Sequence, residues 1–497
     1  MLWLGIDIGT SATKAVLVNE EGKVVSSASV EYSMSTPKPG WAEQEPEQWW
    51  QATKKAILEL RSRTPDLAEK LKAIGLTGQM HSAVFLDKSF QVIRPAILWC
   101  DQRPAEECRE IEERLGFERL VELTLNRALT GFTLPKLLWL RNQEPENYAK
   151  LAHLLVCKDY IRFKLTGELA TEVSDASGTL MFDVRARSWS QELLSELGIN
   201  PEILPTCYES AEITGTLSKT CADELGLKPD IPVVGGGGDQ PAGAVGNGVV
   251  EEGPVLISVG TSGVVFACHY KPLIDPKARL HSFCHSAPEL WHSMGVMLSA
   301  GGSLRWLREV LKRLKSEINY NDMTALAEKA PIGADGLYFL PYLTGERTPH
   351  FDPYARGVFF GINLGHSLEH IIRAVLEGVS FGLRDSVEIM REQKIFIQRF
   401  YLTGGGAKSD FWAQILADIL KAPIFRLEVD EGPSFGSALL AMVGTGRFSS
   451  VQEAVKATLK LKDEIQPNPK NSEHYDTLYA KWRSLYPSLK EKFREVF

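Results

Sequence analysis

The sequence predicts an α/β protein built from two related domains, and three observations carry that expectation. Short apolar strands alternate with helices of 3.6-residue periodicity from the first residues onward. The hexapeptide Ile6-Asp7-Ile8-Gly9-Thr10-Ser11 returns as Ile257-Ser258-Val259-Gly260-Thr261-Ser262, so the offset is 251 residues in a chain of 497. Each copy is followed by an apolar run, which makes the repeat a strand-turn-strand unit and favours a duplicated domain. A chain of this length also exceeds what one hydrophobic core serves.

Leu4 to Ile8 and Ala15 to Val18 read as strands, and Glu20-Glu21-Gly22 turns the chain into a third at Val24-Val25. Glu45-Pro46 opens a helix that places Trp49, Ala52, Thr53, Ala56, Ile57 and Leu60 on one face. Ala73 to Thr77 and Ala83 to Leu86 read as buried strands flanking Gly78-Gln79-Met80-His81. The domains are expected to divide near residue 245, giving 1–245 and 246–497, within the glycine-rich stretch Gly235 to Gly248. No Pro/Ser-rich linker marks the division, so direct packing with a hinge there is expected. Phe400-Tyr401-Leu402 reads as a strand entering Gly404-Gly405-Gly406-Ala407. Ser409-Asp410 then caps a helix with Trp412, Ile415, Leu416, Ile419 and Leu420 on one face.

Composition narrows the function. Hydrophobic residues at 44% and charged residues at 24% are ordinary for a globular protein. The net charge of −8 is spread along the chain without a Lys/Arg-rich run, which argues against a nucleic-acid partner. No apolar run approaches the ~20 residues of a membrane span, and the start lacks the pattern of a secretory signal. Seven cysteines without a Cys-x-x-Cys pair fit reduced thiols and a cytoplasmic location. A homodimer is compatible with this composition.

Three segments carry chemistry. Asp7-x-Gly9-Thr10-Ser11 puts a carboxylate at a strand end beside a turn whose backbone N–H groups can face phosphate oxygens, and Asp7 would hold Mg²⁺ directly or through water. A plain hairpin with a solvated Asp is the rival, and the second copy, with Ser258 in place of Asp7, favours the phosphate clamp. Gly235-Gly236-Gly237-Gly238-Asp239 follows the strand Pro232-Val233-Val234 and places Asp239 as general base for a substrate hydroxyl, against a flexible hinge with an incidental Asp. Gly404-Gly405-Gly406-Ala407 before a helix N-terminus is nucleotide-pocket chemistry without a Walker lysine, or else a structural turn. His281-Ser-Phe-Cys284-His285 with His292 reads as core strand rather than a zinc site, and the pairs Trp49-Trp50 and Phe359-Phe360 read as packing.

Two longer segments give a resemblance. Gly131-Phe132-Thr133-Leu134-Pro135-Lys136-Leu137-Leu138-Trp139-Leu140-Arg141-Asn142-Gln143 is similar to one signature of the FGGY family of carbohydrate kinases. Gly357-Val-Phe359-Phe-Gly361-Ile362 followed by His370 to Glu377 is similar to the second. The chain resembles that family from end to end. The resemblance implies two ribonuclease-H-like domains of the actin/hexokinase type with sugar and ATP in the cleft between them. It implies Asp239 as catalytic base and Asp7 as the residue for Mg·ATP, with Mg²⁺ between Asp7 and Asp239. It places Thr10, Ser11, Lys14, Gly260, Thr261, Gly404, Gly405, Gly406 and Ala407 on phosphates and adenosine. On the sugar side it points to Gln79, Met80, His81, Trp99, Asp101, Asp239 and Gln240. There, Gln79-Met80-His81, Leu98 to Arg103 and Leu340 to Pro349 look like members that phosphorylate D-xylulose, while Gln240 departs from the Asn of some of them. The expected partners are a small sugar and ATP. The alternatives are a family member acting on ribulose, erythrulose or a related polyol, and an actin-like ATPase without sugar chemistry.

Overall fold

The computed structural model describes residues 1–313, 317–428 and 432–495. Two mixed sheets organise it. The first contains β1 (Leu2–Ile8), β2 (Ala12–Asn19), β3 (Val24–Glu31), β4 (Leu71–Gly78), β5 (Ile213–Thr216), β6 (Pro232–Val234) and β7 (Gly237–Gly238). Its order is β5-β6-β4-β1-β2-β3, with β7 beside β4. The second contains β8 (Gly253–Val259), β9 (Gly263–His269), β10 (His281–Cys284), β11 (Trp291–Met297), β12 (Ile397–Thr403), β13 (Ile424–Leu427) and β14 (Leu461–Ile465), in the order β10-β11-β9-β8-β12-β13-β14.

The duplication is visible in the pairing. β1 runs antiparallel to β2 and parallel to β4; β8 runs antiparallel to β9 and parallel to β12. Asp7 lies opposite Thr77 and Ser258 opposite Thr403, so the hexapeptide repeat marks equivalent strand ends. The turns differ by one residue: Gly9 N donates to Ala12 O, whereas Gly260 N donates to Ser262 O, both at 3.0 Å.

Helix α1 (Pro46–Arg63) starts with Pro in its first turn, ends on Arg61 and Arg63, and buries the predicted face from Trp49 to Leu60 against β2 and β3. Further along are α2 (Thr133–Gln143), α3 (Asp239–Gly246), α4 (Gly301–Lys312) and α5 (Tyr320–Ala327). They are followed by α6 (Leu368–Glu392), α7 (Asp410–Leu420) and α8 (Gly432–Gly444). α6 is buried along nearly its whole length and forms the spine of the second core, and α7 is capped by Ser409, whose hydroxyl accepts from Trp412 N.

α8 comes late in the chain but packs on the first sheet, against β1 and β4. Its backbone rests directly on the strands, because a Cβ on Gly5 would overlap Ser434 O and one on Gly75 would overlap Ser437 O. α3 and α8 cross just as closely, with Gly436 against Ala242 O. The stretch expected as a hinge is therefore a packed joint. Gly235 to Gly238 are all buried, and Gly236 (φ 78°) has no room for a Cβ beside Leu76 O.

His281–Cys284 is a buried strand, with Cys284 Sγ directed at Val184 O and His285 Nδ1 accepting from Ala287 N. Trp49 and Trp50 are buried. Phe359 packs on Phe339, whereas Phe360 is half exposed and does not belong to the core expected of it. All seven cysteines are free thiols. Among the described residues no helix is long and apolar enough to cross a membrane.

Candidate active site

The site residues collect at the carboxyl ends of parallel strands, where a strand hands its chain to a loop and backbone amides are left to face a ligand. β1 ends at Asp7-Ile8, β4 runs into Gln79-Met80-His81, and β7 runs into Asp239. In the second half, β8 ends at Gly260-Thr261 and β12 at Gly404 to Ala407.

Asp7 and Asp239 form the charged centre. Asp7 Oδ1 is buried and accepts no hydrogen bond. Burial pushes the Asp7 carboxyl up to about 6, with the Lys14 cation opposite it pulling the other way. Burial, and then the negative charge of Asp7, push Asp239 up to about 7, opposed by the backbone N–H of Gln240 and its own. Asp239 stands in the first turn of α3, where the helix dipole favours its ionised form. An unpartnered, desolvated carboxylate oxygen beside a second carboxylate fits a hard divalent cation such as Mg²⁺, which takes few protein oxygens and keeps its waters.

Three predicted residues turn out to hold one another. Thr10 Oγ1 donates to Gln79 Oε1 at 3.2 Å and accepts from Trp99 Nε1 at 3.0 Å, while Gln79 Nε2 donates to Gln44 Oε1 at 3.0 Å. Gln44 Nε2 closes the ring on Thr10 O at 2.7 Å. The amide of Gln79, which is 1% exposed, thus braces the Gly9-Thr10-Ser11 turn. Asp101 is not brought to the cleft either. It is fully buried, accepts from Ala42 N at 2.6 Å, and takes the Arg103 guanidinium, itself stacked on Trp41 and Trp139. Gln240 is half buried beside Asp239, and Ser11 is exposed on the turn.

Met80 and His81 do reach the centre. Met80 fills the space beside Gly238, where a Cβ would stand 2.7 Å from Met80 Cγ. His81 adopts φ 69°, a conformation a non-glycine residue keeps only when its surroundings enforce it. Its carbonyl accepts from Lys136 Nζ at 2.8 Å and Thr133 Oγ1 at 3.1 Å. Its Nδ1–H donates to Gly178 O at 2.6 Å. Burial, with Lys136 next, lowers the imidazole to about 3, so the ring is neutral and Nε2 is an acceptor.

A cavity of about 440 Å³ opens beside the second phosphate turn. Gly260, Thr261, Gly405 and Gly406 line it as expected, joined by Leu304, Arg305, Tyr320, Asn321, Lys408 and Trp412. Apolar and aromatic walls with glycine backbone at one end suit a planar heterocycle carrying phosphates. Gly404 and Ala407 stand behind the wall. Gly404 (φ 82°) leaves no room for a Cβ against Val259 O, and Ala407 O accepts from Arg426 Nη1 at 3.0 Å.

The chain matches the N-terminal domain of the FGGY family of carbohydrate kinases over residues 2–246 and the C-terminal domain of that family over 255–445. It belongs to the FGGY family of carbohydrate kinases. Among FGGY relatives, the xylulose kinases of Lactococcus lactis and Escherichia coli are each 42% identical to it. The alignments cover 98% of this chain and 97% and 99% of theirs. The ligand-bound xylulose kinase of Lactobacillus acidophilus superposes with a TM-score of 0.95 at 28% identity, covering the whole of both chains. As an FGGY kinase the chain uses ATP. Within the first FGGY signature, Lys136 has a function that the motif did not reveal: it ties His81 O to Gly131 O. Arg305 and Tyr320 lie on helices without a motif, whereas Lys408 directly follows the Gly-Gly-Gly-Ala turn and could have been singled out from it.

Proposed function

We propose that the protein transfers the γ-phosphoryl group of ATP to the terminal 5-hydroxyl of D-xylulose, giving D-xylulose 5-phosphate and ADP, with Asp239 as general base. The observation that carries the reading is the carboxyl of Asp239, raised to about 7 at the end of β7, one residue from the glycine that touches Met80. A base poised near neutral pH takes a hydroxyl proton as the oxygen attacks phosphorus. The proton goes to Asp239, the new O–P bond forms, and the bond to the ADP oxygen breaks. The chain otherwise supplies position and charge stabilisation, which phosphoryl transfer chiefly requires. Gly260 and Thr261 present backbone to the phosphates, and His81 Nε2 accepts from a sugar hydroxyl. Asp7, with Asp239 beside it, would hold Mg²⁺, whose chemistry is to neutralise phosphate charge.

The names of the relatives support xylulose among the family's sugars, and the Gln79-Met80-His81 loop supports the same choice. ADP release measured with xylulose, ribulose, erythrulose and glycerol tests it. Xylulose should lead, a different leading sugar would replace it, and ATP turnover indifferent to every sugar would favour an ATPase without sugar chemistry. A cytoplasmic location is supported by the free thiols. A homodimer is supported by the exposed apolar residues Phe360, Ile362 and Leu364 and is checked by light scattering.

A further inference from the structure

Arg347 lies in the second half of the chain, and its backbone is fixed on every side. Glu346 Oε1 accepts from Arg347 N at 2.7 Å and from Leu298 N at 2.9 Å. Glu346 and Asp352 exchange backbone hydrogen bonds. Thr348 N donates to Val296 O at 2.9 Å, and its hydroxyl accepts from Val296 N and donates to Arg279 O, both at 3.1 Å. From this clamp at the end of β11 the side chain crosses to the first half. Arg347 Nη2 lies 3.9 Å from where a Cβ on Gly131 would stand. Gly131 O and His81 O are bridged by Lys136 Nζ, so the guanidinium arrives beside the structure that holds His81.

Arg347 is half buried, and among the described residues its guanidinium takes part in no hydrogen bond or ion pair. The adjacent carboxylate is occupied: Glu346 Oε1 accepts from two backbone amides. Burial also lifts Glu346 to about 8, which removes most of its charge at neutral pH. A half-buried guanidinium without a hydrogen-bond acceptor among the described residues keeps its donors available, and five donors in a fixed fork fit acceptor oxygens of a ligand. Opposite it, His81 has given its one proton to Gly178 O, and Nε2 can only accept. Met80 runs from Gly238, next to Asp239, to Gly178, so His81 and Arg347 stand beyond it from the base.

We propose that Arg347 is a specificity-determining residue, donating from across the cleft to the C2 carbonyl oxygen of an open-chain ketose whose neighbouring hydroxyl donates to His81 Nε2. This rests on the sugar-kinase reading above. A polyol carries a hydroxyl where the ketose has its carbonyl, and that extra proton faces a group that only donates. It is left unpaired in a desolvated site, a mismatch that lowers kcat/KM roughly 10- to 100-fold.

The test is kcat/KM for D-xylulose and for xylitol, with the KM for ATP, in the parent, R347M and R347K. In R347M the xylulose KM should rise about 10- to 100-fold, the ATP KM should stay within about twofold, and the xylulose-to-xylitol ratio should fall about tenfold or more. R347K keeps the charge without the fork and should lie between. Without nucleotide, xylulose should raise the melting temperature of the parent more than that of R347M. An active R347M with the parental ratio overturns the proposal, as does a fall in kcat equal for both sugars. If R347M does not fold, the ratio in R347K decides by the same criterion. A parent that turns over no ketose would instead refute the proposed function itself, a result recognisable before any variant is made.

Discussion

Replacing Asp239 with Asn should destroy activity while stabilising the fold, and the stabilisation should grow with pH. The folded carboxyl sits near 7, against 3.8 in the unfolded chain, because burial and the charge of Asp7 both disfavour ionisation. A carboxyl raised in this way helps the fold most below its unfolded value. That contribution is lost as pH rises through about 4 to 7, since the folded state must then give up a proton it holds tightly. Going from 3.8 to about 7 has a ceiling of about 4 kcal/mol. Asp239 is only half buried, and water in the cleft screens it, so about 1–2 kcal/mol is expected. Asn resembles the protonated form and has no such pH dependence. Melting curves without nucleotide or Mg²⁺ should therefore nearly coincide at about pH 3, diverge as pH rises through about 4 to 7, and leave the variant a few degrees higher at pH 8. Turnover should fall by about 10²–10⁴. Parallel pH–stability curves for parent and variant would refute the electrostatic account, and near-parental turnover would refute the role of base.

Three further outcomes are expected. Asp7→Asn should raise the Mg²⁺ concentration for half-maximal activity about tenfold while the sugar KM stays within about twofold; an unchanged Mg²⁺ titration would remove Asp7 from the metal site. His81→Ala should raise the ketose KM far more than the ATP KM, whereas a lower melting temperature with intact sugar selectivity would mark His81 as merely structural. Gly75→Ala should lower stability by about 2 kcal/mol or more, because the new Cβ meets Ser437 O of a helix backbone that cannot yield; an unchanged melting temperature would show that α8 can lift off the sheet.

What could be read from the sequence was local chemistry. The repeat at 6 and 257 was legible because Gly-Thr-Ser records a turn, and a turn depends on its own residues. The helix after Glu45-Pro46 was legible because its buried face has helical spacing. The return of α8 to the first sheet was not, since the glycines that admit it, Gly5 and Gly75, carry no sign of a partner more than 350 residues away. The site was legible to the same degree. Asp7, His81 and the glycine turns could be placed, but the direction of a side chain could not. Gln79 and Trp99 were expected on the sugar and instead brace Thr10. Asp101 pairs with Arg103 two residues on, which a local ion-pair reading of the same segment would have suggested.

The two halves use one loop position for opposite purposes, and charge explains the division. In the first half the loop after the central parallel strand carries Met80 and His81, the residues proposed to face the sugar. In the second, the loop from Gly404 to Ala407 puts Gly405 and Gly406 on the cavity wall and leads into Lys408, which also lines it. The strand beside each loop ends in Asp7 in one half and Ser258 in the other. Burial, and then the negative charge of Asp7, already push Asp239 up to about 7. In the proposed reading, a carboxylate at 258 would stand beside the cavity that Gly260 and Thr261 line and would repel a polyphosphate bound there. A neutral Ser258 keeps the repeated turn while leaving the negative charge, and with it the proposed metal site and base, on the side of Asp7 and Asp239 alone.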